Sequence, residues 1–218
     1  MSTVFDCGDP DARSAGIRAA VGAAKAGRLV VLPTDTVYGI GCDAFDPEAV
    51  AALLAAKGRG RDMPVPVLVG SWHTIDGLVL SVPTAARDLV EAFWPGGLSL
   101  VVEQAPSLSW DLGDADGTVM LRMPLHPVAI ELLREVGPMA VSSANVSGQP
   151  ASTTADEARA QLGESVSVYL DGGPAAAAQA STIVDVTTPV PRILRAGAVS
   201  TAAIAEVLDL DVDALTSP

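Results

Sequence analysis

Leu29-Val30-Val31-Leu32-Pro33-Thr34-Asp35-Thr36-Val37-Tyr38-Gly39 changes character at its fifth residue. Four apolar residues make a run short enough for a buried strand, and Pro33 ends it. Two threonines and an acid follow, and Gly39 lets the chain turn. Hydroxyls and backbone donors at the carboxyl end of a strand are how open α/β sheets hold ligands. On spacing alone the segment is equally a hydroxyl-capped turn or a substrate site.

The flanks supply the rest of an α/β pattern. Residues 11–26 carry Ile17, Ala20, Val21 and Ala24 at helical spacing and stop at Gly27. Asp46-Pro47-Glu48 combines an N-cap, a proline at the first helical position and an acid in the first turn, which opens a helix towards Lys57. Further strands are predicted at 65–69, 98–102, 119–122, 139–141, 166–170, 182–186 and 192–194. Helices are predicted at 83–93, 127–136, 154–162 and 200–208. With no repeat and no long linker, residues 10–208 read as one α/β domain and residues 209–218 as a tail that frays. The run Pro174 to Ala180 is either a helical turn or a mobile flap.

Composition removes several classes of function. The 218 residues hold 13 Lys and Arg against 26 Asp and Glu, a net charge of −13, with 49% hydrophobic and 18% charged. Disorder needs low hydrophobicity as well as charge, and coating nucleic acid needs many cations, so neither is expected. No apolar run approaches the roughly 20 residues of a membrane span, and Met1 to Asp11 has no positive stretch leading into an apolar one. The chain is therefore expected in the cytoplasm, without membrane association. Cys7 and Cys42 lack disulfide or metal-ligand spacing and read as small buried thiols. His73 and His126 are the only histidines; no Ser-His-Asp, Cys-His, G-x-x-x-x-G-K-[ST] or G-x-G-x-x-G pattern is present.

Three other segments concentrate polar chemistry between apolar strands. Lys57-Gly58-Arg59-Gly60-Arg61 places three of thirteen cations within five residues, a pattern that favours an anion site over a solvated helix end. Ser142-Ser143-Ala144-Asn145-Val146-Ser147-Gly148 follows the apolar run Met139 to Val141 and is either a polar turn or a cradle for phosphate or ribose oxygens. Around Thr118 to Arg122, Ser181-Thr182 and Arg192 to Gly197, single arginines end apolar strands, where an arginine ordinarily covers the core with its stem.

In this order, Pro33 to Gly39, Lys57-x-Arg59 with Pro64, Trp94-Pro95-Gly96-Gly97-Leu98-Ser99, Arg122-Met123-Pro124, Ser143 to Gly148, Ser181 to Asp185 and Leu194-Arg195-Ala196-Gly197 resemble the YrdC-like threonylcarbamoyl-AMP synthase family, in its short single-domain form. The resemblance implies a single α/β domain whose twisted mixed sheet and flanking helices surround a concave, positively charged groove. It implies an enzyme joining L-threonine, bicarbonate and ATP, with Mg2+, into threonylcarbamoyl-AMP and pyrophosphate, for a tRNA modification completed with partner proteins. Carried over, Thr34, Arg122 and Ser181 would contact threonine. Lys57, Arg59, Thr118, Ser143, Asn145 and Arg195 would contact ATP, with Lys57 and Arg59 also catalytic, and no protein side chain is assigned to a metal. Lys57 is expected to serve the site rather than the core, so that Lys57→Ala would leave the fold intact. Gly97, the run Pro64 to Leu68 and Gln179-Ala180 depart from the family's usual residues. Two alternatives accompany this reading: a paralogue with another carbamoyl donor, such as the domain found in hydrogenase maturation proteins, and a non-catalytic binder of double-stranded RNA or tRNA.

Overall fold

Ten strands among the described residues form one mixed sheet in this computed structural model, which describes residues 2–176 and 179–216. They are β1 (Thr3–Asp6), β2 (Val30–Leu32), β3 (Gly39–Asp43), β4 (Val67–Leu68), β5 (Leu98–Glu103), β6 (Thr118–Arg122), β7 (Met139–Ser143), β8 (Val168–Asp171), β9 (Thr182–Asp185) and β10 (Arg192–Arg195). Their order is β1-β8-β2-β3-β7-β4-β6-β5-β9-β10. The pairs β1/β8, β8/β2, β4/β6 and β5/β9 are parallel and the others antiparallel. The helices are α1 (Pro10–Lys25), α2 (Pro47–Lys57), α3 (Thr84–Phe93), α4 (Pro127–Val136), α5 (Ala155–Leu162), α6 (Thr201–Leu208) and α7 (Val212–Thr216).

Alternating side chains of the same strand enter different cores. Val30, Leu32, Met139, Val141, Val168 and Leu170 pack with Ile17, Ala20 and Ala24 of α1 and Val128, Leu132 and Leu133 of α4. Val31, Ala140 and Tyr169, one residue out of step, belong to the larger core with Leu53, Leu89, Ala158 and Ile204. Because both faces are covered, the strands read as unbroken apolar runs rather than as an alternation. The predicted helix starts hold physically: Asp46 Oδ1 accepts from the amides of Glu48 and Ala49 at 3.0 and 3.1 Å, and Thr154 Oγ1 accepts from the Glu157 amide at 3.2 Å.

Four elements differ from the sequence expectation. Strand β3 is half glycine and polar, so its pattern is weak. Its glycines are required by packing, because a Cβ at Gly39 or Gly41 would lie 2.6 or 2.7 Å from the Val141 side chain across the β3–β7 pair. Strand β1 lies before residue 10 and adds an edge to the same sheet. The tail is the clearest correction: residues 212–216 do not fray but form α7, with Leu215 0% exposed in the main core. Leu215→Ala should therefore destabilise the protein by about 2 kcal/mol, lowering the thermal midpoint by several degrees; a frayed tail would leave the midpoint unchanged. The predicted strand at 65–69 shortens to two residues, since Pro64 and Pro66 bring no amide protons to a ladder. Ala177 and Ala178 of the alanine run lie outside the described residues.

Candidate active site

A cavity of about 660 Å³ opens over the middle of the sheet, lined by residues from β3, β4, β5, β6, β7, β9 and β10. The chain delivers polar groups to it where apolar strands end. Thr34 and Thr36 come from the β2–β3 connection, Lys57 from the last residue of α2, Arg122 from the end of β6, and Asn145 from the loop after β7. Helix α2 stops at Gly58, whose φ of 59° places it in the left-handed region, and Arg59 continues into the cavity wall.

Two groups of side chains divide the site. In the first, Arg122 is buried and its guanidinium donates through Nε to the Gly96 carbonyl (2.8 Å), through Nη1 to Thr36 Oγ1 (2.8 Å) and through Nη2 to Asp35 Oδ1 (2.7 Å). Three of its five N–H groups are thus fixed inside the protein and two remain. The Thr36 hydroxyl lies 3.0 Å from that of Thr34, which donates to the Val37 carbonyl. Ser181 Oγ and Ser99 Oγ are 2.8 Å apart, and Arg195 donates to the Ser181 carbonyl and hydroxyl at 2.8 and 3.1 Å.

The second group gathers at α2 and the β7 loop. Lys57, 2% exposed, donates from Nζ to the carbonyls of Ser143 (2.5 Å) and Asn145 (2.8 Å). Burial pulls its ammonium from the ordinary 10.5 down to about 8, and the neighbouring Arg59 pushes the same way. Lys57 thus ties α2 to the β7 loop as well as lining the cavity, a contact within the fold that the sequence reading does not assign to it. Arg59 donates to Ser142 Oγ at 3.1 Å and to the Pro64 carbonyl at 3.2 Å. Two buried atoms here, Arg59 Nε and Asn145 Oδ1, have no partner within the protein. Buried polar atoms are nearly always paired, so this donor and acceptor are suited to groups that a ligand brings.

Eight of the predicted residues line the one cavity: Thr34, Lys57, Arg59, Arg122, Ser143, Asn145, Ser181 and Arg195. The ninth, Thr118, does not. It stands at the start of β6, and its hydroxyl donates to the Ala115 carbonyl at 2.7 Å. Arg61 also departs from the three-cation anion cluster, since it faces Asp111 and Asp114 instead. Thr36, Ser99, Ser142 and the Arg122 counterion Asp35 escape the sequence reading as individual site residues. For Ser99 a signal exists, a hydroxyl between Leu98 and Leu100 in a strand buried on both faces. The lining carries four cations, Lys57, Arg59, Arg122 and Arg195, and no carboxylate. Both cysteines are buried and free, and burial pushes their thiols up to about 11 for Cys7 and about 12 for Cys42.

A family model named for Sua5, YciO and YrdC, and described as Telomere recombination, matches residues 22–197. The chain belongs to the Sua5/YciO/YrdC family. The matched span includes every residue that lines the cavity. A Mycobacterium tuberculosis protein provisionally named a threonylcarbamoyl-AMP synthase is 71% identical over 215 residues, covering 99% of each chain. Threonylcarbamoyl-AMP synthase of Pyrococcus abyssi is 36% identical over 83% of this chain and 54% of its own length. The crystal structure of P. abyssi Sua5 complexed with L-threonine superposes with a TM-score of 0.88 at 31% identity, covering 95% of this chain and 61% of that one.

Proposed function

We propose that this chain is an L-threonylcarbamoyladenylate synthase, joining L-threonine, bicarbonate and ATP to give threonylcarbamoyl-AMP and pyrophosphate. The observation that carries the reading is the cavity itself. An arginine fork set among hydroxyls, Arg122 with Thr34, Thr36 and Ser181, shares one space with a cationic and amide-rich group, Lys57, Arg59 and Asn145. The first suits a hydroxy amino acid, its carboxylate on the two N–H groups that Arg122 retains. The second suits a polyphosphate, and Asn145 Oδ1 and Arg59 Nε remain for the nucleotide.

The chemistry needs no protein nucleophile. Bicarbonate takes up a proton and loses water to give carbon dioxide; threonine's neutral amine adds to it and sheds a proton to form a carbamate, a carbamate oxygen attacks the α-phosphorus of ATP, and the bond to pyrophosphate breaks as pyrophosphate leaves. The protein's part is to align two bound substrates and to oppose the charge gathering on the phosphates. Lys57 holds two carbonyls and keeps a third N–H for a phosphate oxygen, and Arg59 lies beside it; these are the two residues assigned to transition-state stabilisation. No group of three or more His, Cys, Asp or Glu among the described residues could hold a metal ion, and the lining has no carboxylate. Magnesium would enter with the substrate, on the phosphates of ATP. Transfer to tRNA would follow through partner proteins in the cytoplasm; no helix among the described residues is long and apolar enough to cross a membrane.

Pyrophosphate release by the purified protein with MgATP tests the reading. Release should require both L-threonine and bicarbonate. Release that ignores threonine would overturn it.

A further inference from the structure

Arg61 stands outside the cavity, yet two loops meet on it. Its guanidinium grips Asp111 with both terminal nitrogens, at 2.7 and 3.0 Å, and reaches Asp114 through Nε at 3.3 Å. The Arg61 hydrogen bonds hold the Asp111 carboxyl below the usual carboxylate range. The backbones are joined as well: the Asp114 amide donates to the Arg61 carbonyl at 2.9 Å, and the Val65 amide to the Leu112 carbonyl at 2.8 Å. Gly113 has a φ of 106°, and a Cβ there would stand 2.8 Å from the Arg61 carbonyl, so the close approach of the loops needs glycine. At the far side, Trp110 stacks on Phe45 at 5.4 Å and donates from its indole to Gln104. The Thr118 hydroxyl closes the final turn on Ala115.

The segment held in this way, residues 59–64, carries Arg59, Met63 and Pro64 of the cavity wall. Its attachment on the cavity side is light: Arg59 bonds Ser142 at 3.1 Å and its own loop at Pro64. We propose that the loop 105–117 is a brace for the phosphate-binding segment and that Arg61, through Asp111 and Asp114, is a positioning residue that sets Arg59 for ATP. This rests on the synthase reading for the identity of the nucleotide. Arg61 is about half exposed, its side chain 54% accessible, so the clamp tunes affinity rather than holding the fold together. Threonine binding should be insulated from it, because Arg122 is fixed by Gly96, Thr36 and Asp35, none of which is hydrogen-bonded to the brace.

The test compares wild type, Arg61→Ala, Arg61→Asp and the exchange Arg61→Asp with Asp111→Arg, using direct calorimetric titration with ATP and the KM values for ATP and threonine. Arg61→Ala should weaken ATP binding by about fivefold and lower kcat/KM for ATP by at least as much, with the threonine KM within about twofold and the thermal midpoint little changed. Arg61→Asp should weaken ATP binding further through repulsion, and the exchange should recover most of the loss. Unchanged ATP affinity, an equal loss for threonine, or no recovery in a folded exchange variant would overturn the proposal. If wild type binds ATP but releases no pyrophosphate, the synthase reading fails and the brace is still judged on ATP affinity. If wild type does not bind ATP, both fail.

Discussion

Lys57→Met should cut ATP-dependent pyrophosphate release by roughly a hundredfold, the loss typical of removing one preorganised donor from developing charge. The folded protein should survive. Methionine keeps the length of the buried stem and its apolar contacts, and it removes a cation whose burial works against folding. The carbonyls of Ser143 and Asn145 lose their donor, but both residues line an open cavity where water can replace it. The thermal midpoint should stay within about 4 °C, the shift that about 1 kcal/mol produces in a chain of this size. Unchanged turnover would remove Lys57 from the site, and a protein that no longer folds would make its role chiefly structural.

The same residue gives opposite pH trends for fold and activity. Its pKa in the folded chain is about 8 against an ordinary 10.5, so across that window the unfolded chain keeps a proton that the folded chain has lost. Stability contributed by this group therefore rises with pH between about 8 and 10.5. Activity that needs the ammonium moves the other way, with kcat/KM for ATP falling as pH climbs through about 8. In Lys57→Met both trends should vanish. A wild-type kcat/KM flat to pH 10 would contradict the assignment.

Arg122→Lys should raise the threonine KM at least tenfold while changing the ATP KM less than about threefold. An ammonium is a point charge and cannot hold Gly96, Thr36 and Asp35 in three directions while presenting a planar pair of donors to a carboxylate. Asp35 keeps the Leu125 amide as a second donor at 2.9 Å, and a cation remains beside it, so the variant should still fold. Equal losses for the two substrates would place Arg122 elsewhere in the mechanism, and an unfolded product would show that its ion pair is needed first by the core.

How far the sequence carries this account depends on the range of each signal. Helices α1, α2, α4 and α5 announce themselves locally, through caps and prolines at their starts. The buried strands announce themselves through unbroken apolar runs. Strand β3 escapes because packing against Val141, a partner a hundred residues away, is what selects its glycines. Helix α7 escapes because five residues carry no period, and only the burial of Leu215 reveals it. The same distinction divides the site. Thr34, Arg122 and Asn145 sit in local motifs, whereas the meeting of Ser99 with Ser181 across β5 and β9, the pairing of Asp35 with Arg122 and the outward turn of Arg61 are products of register and loop approach. Three cations in five residues suggested one anion site, but two aspartates fifty residues downstream claim the third.

The most direct test of the proposed chemistry follows the carbon of bicarbonate. Purified protein supplied with MgATP, L-threonine and ¹³C-bicarbonate should form an adenylate that contains threonine, AMP and one labelled carbon, in step with pyrophosphate release. An adenylate without the label, or label incorporated when threonine is omitted, would contradict the assignment of this cavity to threonylcarbamoyl-AMP synthesis.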